Sequence, residues 1–169
     1  SAVPAVPLDQ LRSQLREDLG DDPEAVFARF DPVALAAASI AQVHRAALHD
    51  GTEVVVKVRR PGIVETIDAD LRLLDRAAEV AQREWPALEP FRPRQLVRQF
   101  GLSLRRELDL AAECRSAERV ARNLATLPQV QIPRVHWQWT RERVNVQDHV
   151  QGIPGEQLMI TTTVENYPG

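Results

Sequence analysis

Apolar residues recur along the chain with periods that separate helices from strands. Leucines at helical spacing between positions 8 and 19 predict a helix, which Gly20 ends. A second short helix is predicted over residues 23–30, because Asp22 suits the N-cap and Pro23 the first helical position. Further along, an apolar stripe from Ile63 to Ala81 predicts an amphipathic helix that ends before Pro86.

A long helix is predicted from about residue 94 to about residue 124, ended by Pro128. Its apolar stripe contains Phe100, Leu104, Leu108 and Ala111. The three carboxylates discussed below, at positions 107, 109 and 113, all lie on this predicted helix.

A β-hairpin is predicted in the middle of the chain. The alanine-rich residues 33–48 are interpreted as a loop and a strand, because β-branched residues follow the alanines and Asp50-Gly51 forms a strong turn signal. A second strand then runs over residues 53–58. Side chains alternate along a strand, so Val55 and Lys57 share one face and the other three valines share the opposite face.

The end of the chain is predicted to contain short strands. Residues 130–133 and 135–150 fit this pattern, with Val144, Val146 and Val150 in alternation, and glycine and proline after position 151 indicate a linker. The fold class is therefore α+β, a twisted antiparallel sheet packed against long helices. The expected organisation is an N-terminal helical extension at 1–30, a lobe at 31–152 and a linker at 153–169.

Composition narrows the function classes. The 169 residues are 44% hydrophobic, enough for one core, and 21 basic against 24 acidic residues give a net charge of −3. This balance argues against a nucleic-acid partner, although a helical nucleic-acid binder using residues 92–106 remains an alternative. The single cysteine, Cys114, is expected to fill space in a helix and favours a cytoplasmic setting. No apolar run reaches the length of a membrane span and no leader is recognised.

Lys57 is the residue most in need of a partner. An ammonium on an apolar strand face loses hydration that an opposite charge or an anionic ligand must replace. The predicted long helix offers Glu107, Asp109 and Glu113. On a regular helix Asp109 and Glu113 share a face and Glu107 lies nearly opposite, so the three cannot reach one site. Asp109 could instead be an ordinary helix carboxylate near Arg105 and Arg106.

A strand lysine paired with a helix glutamate is how protein kinases bind the α and β phosphates of ATP. The kinase phosphate loop reads G-x-G-x-x-G-x-V. Aligning its valine with Val43 places the three glycine positions on Ala36, Ala38 and Ala41, so that all three are alanine.

Three motifs together resemble the UbiB/ADCK family of atypical, protein-kinase-like proteins. They are AAASIAQVH at 36–44, VVVKV at 54–58 with RPGI at 60–63, and ELDLAAE at 107–113. Their order and spacing are specific, and the resemblance covers nearly the whole chain.

The resemblance implies a kinase-like N-terminal lobe and assigns roles to several residues. Ala36, Ala37, Ala38 and Ser39 would form an alanine-rich phosphate loop, Lys57 would bind phosphate, and Glu113 would be its ion-pair partner. Glu107 and Asp109 would be a family Glu-x-Asp pair in a lid. Adenine would contact Val43 and Val55, and the exposed backbone at Asp148 and Val150, where the connection to a second lobe begins, would hydrogen-bond it.

The resemblance further implies ATP or ADP as ligand, magnesium bound through a C-terminal lobe, and a link to ubiquinone or other isoprenoid-lipid metabolism, with association at the inner face of a membrane. The chain contains no His-x-Asp catalytic loop and no kinase metal motif. We therefore expect it to be the N-terminal lobe of a longer protein, without phosphoryl transfer of its own. The alternative is a pseudokinase-like scaffold or helical interaction module, in which the Lys57–Glu113 pair is structural.

Overall fold

The computed structural model describes residues 3–126 and 132–150. The chain divides into two compact units: Ser1–Pro61 together with Asp109–Gly169, and Gly62–Leu108. Helices and a five-stranded antiparallel sheet make up these units, so the predicted α+β class is confirmed. The predicted linker at 153–169 lies outside the described residues.

The first unit begins with helix α1, Leu8–Leu19, as the leucine spacing predicts. Gly20 ends the helix in the left-handed conformation, at φ +89°, which glycine adopts without steric cost. Leu11 and Leu15 are fully buried, so the apolar stripe of α1 is part of the core.

The second predicted helix is shorter than expected. Helix α2 spans only Pro23–Val26, and Arg29–Phe30 instead forms strand β1. The Ala28 N–H donates to the Ala47 carbonyl at 2.9 Å, and Arg29 pairs with Ala47. Pairing with a neighbouring strand therefore overrides the local helical preference.

The sheet is built around the predicted hairpin. Its strands are β2 (Ala36–Ala37), β3 (Ala41–Ala47), β4 (Glu53–Arg59) and β5 (Val144–Asp148). The strand order is β1-β3-β4-β5, and β2 also pairs with β3. Strand β4 extends one residue beyond the prediction. Gly51 has φ +87° in the turn, as the Asp-Gly signal predicts.

The core lies on one face of the sheet. Val54, Val56 and Val58 have no exposed surface, which confirms the predicted alternation along β4. They form one cluster with Leu11 and Leu15 of α1, with Phe27 directly after α2, and with buried residues of the other strands. The opposite face of β4 therefore remains for Val55 and Lys57.

Within residues 132–150 the structure has one strand, β5, where short strands were predicted. Val135 makes only an isolated bridge to Gln147, Trp137–Trp139 forms a 3-10 helix, and Val150 lies beyond β5. The Val146 N–H and the His136 carbonyl both bond the Thr140 hydroxyl, at 3.2 and 2.9 Å. These local bonds close a tight turn in place of a second strand. Residues 130 and 131 of the first predicted strand lie outside the described part.

The predicted long helix is two helices. Helix α4 spans Pro93–Leu108 and α5 spans Leu110–Asn123, and Asp109 between them has extended backbone angles. Asp109 is the N-cap of α5, and short polar side chains are favoured at such caps because they bond free helical N–H groups. The interruption separates the positions that were expected to share one helix.

The second unit is a helical hairpin. Helix α3, Ile63–Glu84, is joined to α4 by a 3-10 helix at Pro86–Phe91, so the predicted end of α3 before Pro86 is confirmed. Ion pairs join the two helices, Arg94 to Asp75 at 3.2 Å and Arg105 to Asp68 at 3.1 Å. Across residues 3–126 and 132–150, no helix has the length and apolarity needed to cross a membrane.

Candidate functional site

Lys57 and Glu113 form the ion pair that the family resemblance implies. The Lys57 Nζ atom lies 3.1 Å from Glu113 Oε2 and 3.3 Å from Oε1. Each side chain is only 14% exposed, so the attraction between the two charges is less screened than at the surface. An anionic ligand that reached Lys57 would therefore meet an ammonium whose position is fixed.

Glu113 reaches Lys57 because α5 begins beside the sheet. The Asp109 Oδ1 atom accepts the Ala112 N–H at 3.0 Å, which satisfies one free donor of the first turn. The Leu110 N–H donates to the Glu142 carbonyl at 2.9 Å, just before β5. The first turn of α5 is thus capped by Asp109 and bonded to the segment before β5, and Glu113 lies on that turn.

Val43 and Val55 share the Lys57 face, as predicted. Val43 is directly opposite Lys57 in the β3–β4 ladder, and Val55 is two residues earlier on β4. Both are nearly buried, at 2% and 5% exposed. Each of the two side chains therefore presents only a small accessible surface to an adenine base.

The alanine-rich residues form a tight turn between β2 and β3. Ala36 pairs with Val43 and Ala37 with Gln42, and the Ala38 N–H donates to the Ala41 carbonyl at 2.9 Å. Ala36 therefore lies on the Lys57 face. Among the described residues, no acceptor bonds the N–H groups of Ser39 or Ile40 at the tip of this turn. Free N–H groups of this kind are what phosphate-binding loops supply.

Asp148, whose backbone was predicted to contact adenine, has its side chain away from the Lys57 face. It pairs with Val54 in the ladder, so its side chain lies on the opposite face from Lys57 and bonds His136 Nε2 at 2.6 Å. Its N–H donates to the Arg134 carbonyl, and the His149 N–H to the Glu53 carbonyl, both at 2.9 Å. Both N–H groups are therefore bonded within the protein, and an adenine contact through the backbone at Asp148 stays a prediction. A contact through Val150 stays a prediction.

The Glu-x-Asp residues do not share a helix. Glu107 is in α4, whereas Asp109 caps α5, so the expectation that Asp109 and Glu113 lie on one face of a regular helix is wrong. Asp109 pairs with Arg115 at 3.7 Å, while Arg105 pairs with Asp68. The helix therefore breaks within the motif. The lid role stays a prediction.

Cys114 follows Glu113 and packs against the sheet. Its side chain is fully buried, and its Sγ atom accepts the Gln147 Nε2–H at 3.3 Å. Burial raises the pKa of the thiol to about 11, so it is neutral at physiological pH. The prediction of a small residue that fills space in a helix is confirmed, and a buried, neutral thiol is poorly suited to act as a nucleophile.

Two residues beside the loop were not identified from the sequence as site residues. Gln42 and Arg60 both bond the backbone near the alanine-rich turn. The signals were present: a glutamine inside an apolar strand, and an arginine directly after the strand that carries Lys57. Neither signal indicates which backbone atoms the side chain contacts.

Comparisons with known proteins support the kinase-like architecture. Residues 1–165 match the ABC1 atypical kinase-like domain. The chain is 38% identical over 152 residues to the "Probable protein kinase UbiB" of Marinobacter nauticus, which covers 90% of the chain and 28% of the relative. The protein of the same name from Pseudomonas aeruginosa is 38% identical over 156 residues, 92% of the chain and 29% of the relative.

Among solved structures, the complex of Rv3197 with erythromycin from Mycobacterium tuberculosis is similar to the chain with a TM-score of 0.72. The identity is 27%, and the alignment covers 96% of this chain and 40% of that one. The chain thus spans less than a third of the length of the two curated relatives. Its match over nearly all residues, with the lysine strand and glutamate helix in place, shows that the chain belongs to the ABC1 atypical kinase-like family.

Proposed function

We propose that the chain is the nucleotide-binding lobe of an atypical kinase or ATPase and binds ATP or ADP. The observation that carries this proposal is the Lys57–Glu113 pair on the same sheet face as Val43 and Val55. A kinase-type lysine binds the α and β phosphates while its glutamate partner holds it in place. The shared face would bring base and phosphates to one surface.

The alanine-rich turn supports a phosphate site. The N–H groups of Ser39 and Ile40 would bind phosphate oxygens, and Lys57 would contribute positive charge. Alanines lack the left-handed freedom of glycine, so this turn changes conformation less easily than a glycine-rich loop. The nucleotide would therefore meet a loop whose shape is already set.

Magnesium does not fit the described part of the chain. There, no group of three or more histidine, cysteine, aspartate or glutamate side chains could hold a metal ion. We place the metal ligands and the catalytic base of the parent protein in a C-terminal lobe, in keeping with relatives more than three times as long. The chain alone then binds nucleotide without transferring phosphate.

The biological role we propose is in ubiquinone or other isoprenoid-lipid metabolism, at the inner face of a membrane. Its support is the relatedness to proteins named UbiB and the family resemblance of the three motifs. Deletion of the gene should change the amount of an isoprenoid lipid, and a Lys57→Met copy should fail to restore it. If the Lys57→Met copy restored the amount of the lipid, the role in lipid metabolism would not depend on the nucleotide site.

The binding test is a titration with ATP and with ADP, each with magnesium, followed by calorimetry and thermal unfolding. The wild-type protein should be stabilised by at least one nucleotide, and Lys57→Met should bind at least tenfold more weakly, which is about 1.4 kcal/mol. Arg29→Met is the matched control, because Arg29 pairs with Glu53 at the other end of the hairpin. Absence of any nucleotide effect on the wild-type protein would refute the proposal.

A second candidate is an interaction module without nucleotide turnover. It is favoured by the large apolar side chains exposed on the helical hairpin of residues 62–108. Phe91 and Leu73 are each 68% exposed and Trp85 is 60% exposed. Such exposure is typical of a surface that a partner covers. A protein that binds no nucleotide, yet loses a partner on Phe91→Ser substitution, would favour this candidate.

A further inference from the structure

The backbone of residues 4–6, here called the N-terminal segment, is bound to the strand that follows the alanine-rich turn. The Val6 N–H donates to Gln42 Oε1 at 2.8 Å, and Gln42 Nε2 donates to the Val6 carbonyl at 2.9 Å. The Gln42 side-chain amide thus makes with Val6 the two hydrogen bonds that the backbone of a neighbouring strand would make. Gln42 pairs with Ala37 in the ladder, so this contact lies next to the turn.

Gln42 is fixed in this orientation by a buried histidine. Both Gln42 and His44 have no exposed surface. The second amide hydrogen of Gln42 is directed at His44 Nε2, 2.9 Å away, and His44 Nδ1 donates to the Asp31 carbonyl at 2.9 Å. A carbonyl can only accept, so Nδ1 carries the proton and Nε2 accepts from Gln42. The amide therefore has one orientation that satisfies all its bonds.

Arg60 makes a second link between the same two parts. Its Nε atom donates to the Ala38 carbonyl at 2.8 Å, and its Nη2 atom donates to the Pro4 carbonyl at 2.6 Å. Its backbone N–H also donates to the Ile40 carbonyl at 2.8 Å. One arginine thus holds carbonyls on both sides of Ser39 and joins them to the N-terminal segment.

We propose that Gln42 and Arg60 are positioning residues through which the N-terminal segment sets the nucleotide affinity of the alanine-rich turn. The inference rests on the proposed nucleotide function. With the Ala38 and Ile40 carbonyls held by Arg60, the N–H groups of Ser39 and Ile40 stay available to phosphate oxygens. A ligand that binds a loop already fixed in shape loses less free energy to ordering it. Release of the segment loosens the turn and weakens binding.

The first measurement is amide hydrogen exchange in the absence of nucleotide, on the whole protein purified from its host. Arg60→Met keeps the apolar stem and removes both side-chain bonds. Exchange should become faster in two places at once, the N-terminal segment and residues 38–41, and stay unchanged at Val54 and Val56 in the core. Arg29→Met, at the far end of the hairpin, should change neither place. Faster exchange in only one of the two places overturns the proposed coupling.

The second measurement is the affinity for ATP and for ADP with magnesium. Two lost hydrogen bonds predict about three- to tenfold weaker binding in Arg60→Met, with partial recovery in Arg60→Lys, which can bond one carbonyl. Gln42→Met should act in the same direction, and if it fails to fold, Arg60→Met decides. A merely structural role would lower the unfolding temperature and leave the dissociation constant unchanged.

The outcomes separate the two proposals. If the wild-type protein binds nucleotide and Arg60→Met binds it equally well, the positioning role is refuted and the nucleotide function stands. If the wild-type protein binds neither nucleotide, both proposals are refuted, whatever the exchange rates show.

Discussion

Asp109 determines where Glu113 lies. The Asp109 side chain caps α5 through the Ala112 N–H, and the Glu113 N–H donates to the Asp109 carbonyl at 3.2 Å. The carboxylate that meets Lys57 is thus held by the residue that begins its helix. Glu113 is also favoured in the first turn of α5, because the N-terminal end of a helix dipole is positive.

Asp109→Ala should destabilise the protein by about 1 kcal/mol, the usual cost of losing an N-cap. The Asp109→Asn variant retains an acceptor oxygen at the cap, so it should lose much less stability. Urea unfolding followed by circular dichroism measures both. Equal stability of Asp109→Ala and the wild type would mean that the cap contributes nothing to holding α5.

The Lys57–Glu113 pair should show strong coupling in a double-mutant cycle. Each single change, Lys57→Met or Glu113→Leu, leaves the other charge poorly solvated and should cost about 2 kcal/mol or more. The double variant should cost less than the sum of the two by about 1–3 kcal/mol. Strict additivity in urea unfolding would show that the two side chains do not interact in solution.

His44 should make stability depend on pH in the mildly acidic range. Burial, as the largest cause, lowers its pKa from the ordinary value of 6.5, although the bond to Asp31 opposes this. On acidification below about pH 6.5 the unfolded chain takes up a proton that the folded protein does not, so stability falls. The carboxyl of Glu24, whose pKa the Arg12 guanidinium lowers to about 2, responds only at more acidic pH.

The measurement for His44 is the unfolding temperature between about pH 8 and about pH 5.5. His44→Gln should flatten the dependence, because the glutamine side chain takes up no proton in this pH range. An unchanged slope in His44→Gln would assign the effect to other groups.

Cys114 should resist alkylation in the folded protein. Its Sγ atom is buried, and its pKa of about 11 leaves almost no thiolate near pH 8. Iodoacetamide, followed by mass spectrometry, should label it only when urea unfolds the protein. Rapid labelling under native conditions would show that α5 separates readily from β5.

Periodicity predicted the elements that depend on local sequence. The helix predicted from the α1 leucines, the Asp-Gly turn and the alternation in β4 were all correct. The alternation also placed Val55 and Lys57 on one face of the sheet. Each of these signals needs only residues that are adjacent in the chain. The motif resemblance added Glu113, whose distance from Lys57 no periodicity specifies.

Specific hydrogen bonds, both local and long-range, caused the errors. Residues 29–30 form a strand because β3 presents a free edge, and the helix breaks at Asp109 because its side chain bonds the next turn. The contacts of Gln42 and Arg60 join residues 36 and 56 positions apart. A side chain that bonds a distant carbonyl leaves no periodic trace, so only coordinates reveal it.

The helical hairpin of residues 62–108 begins three residues after β4 and ends directly before the cap of α5. It is therefore an insertion between the strand that carries the lysine and the helix that carries the glutamate. Insertions and deletions in its connecting turn would change the number of residues between Lys57 and Glu113 without altering either element. A search for remote relatives should accordingly allow that interval to vary and hold fixed only the short motifs at its two ends.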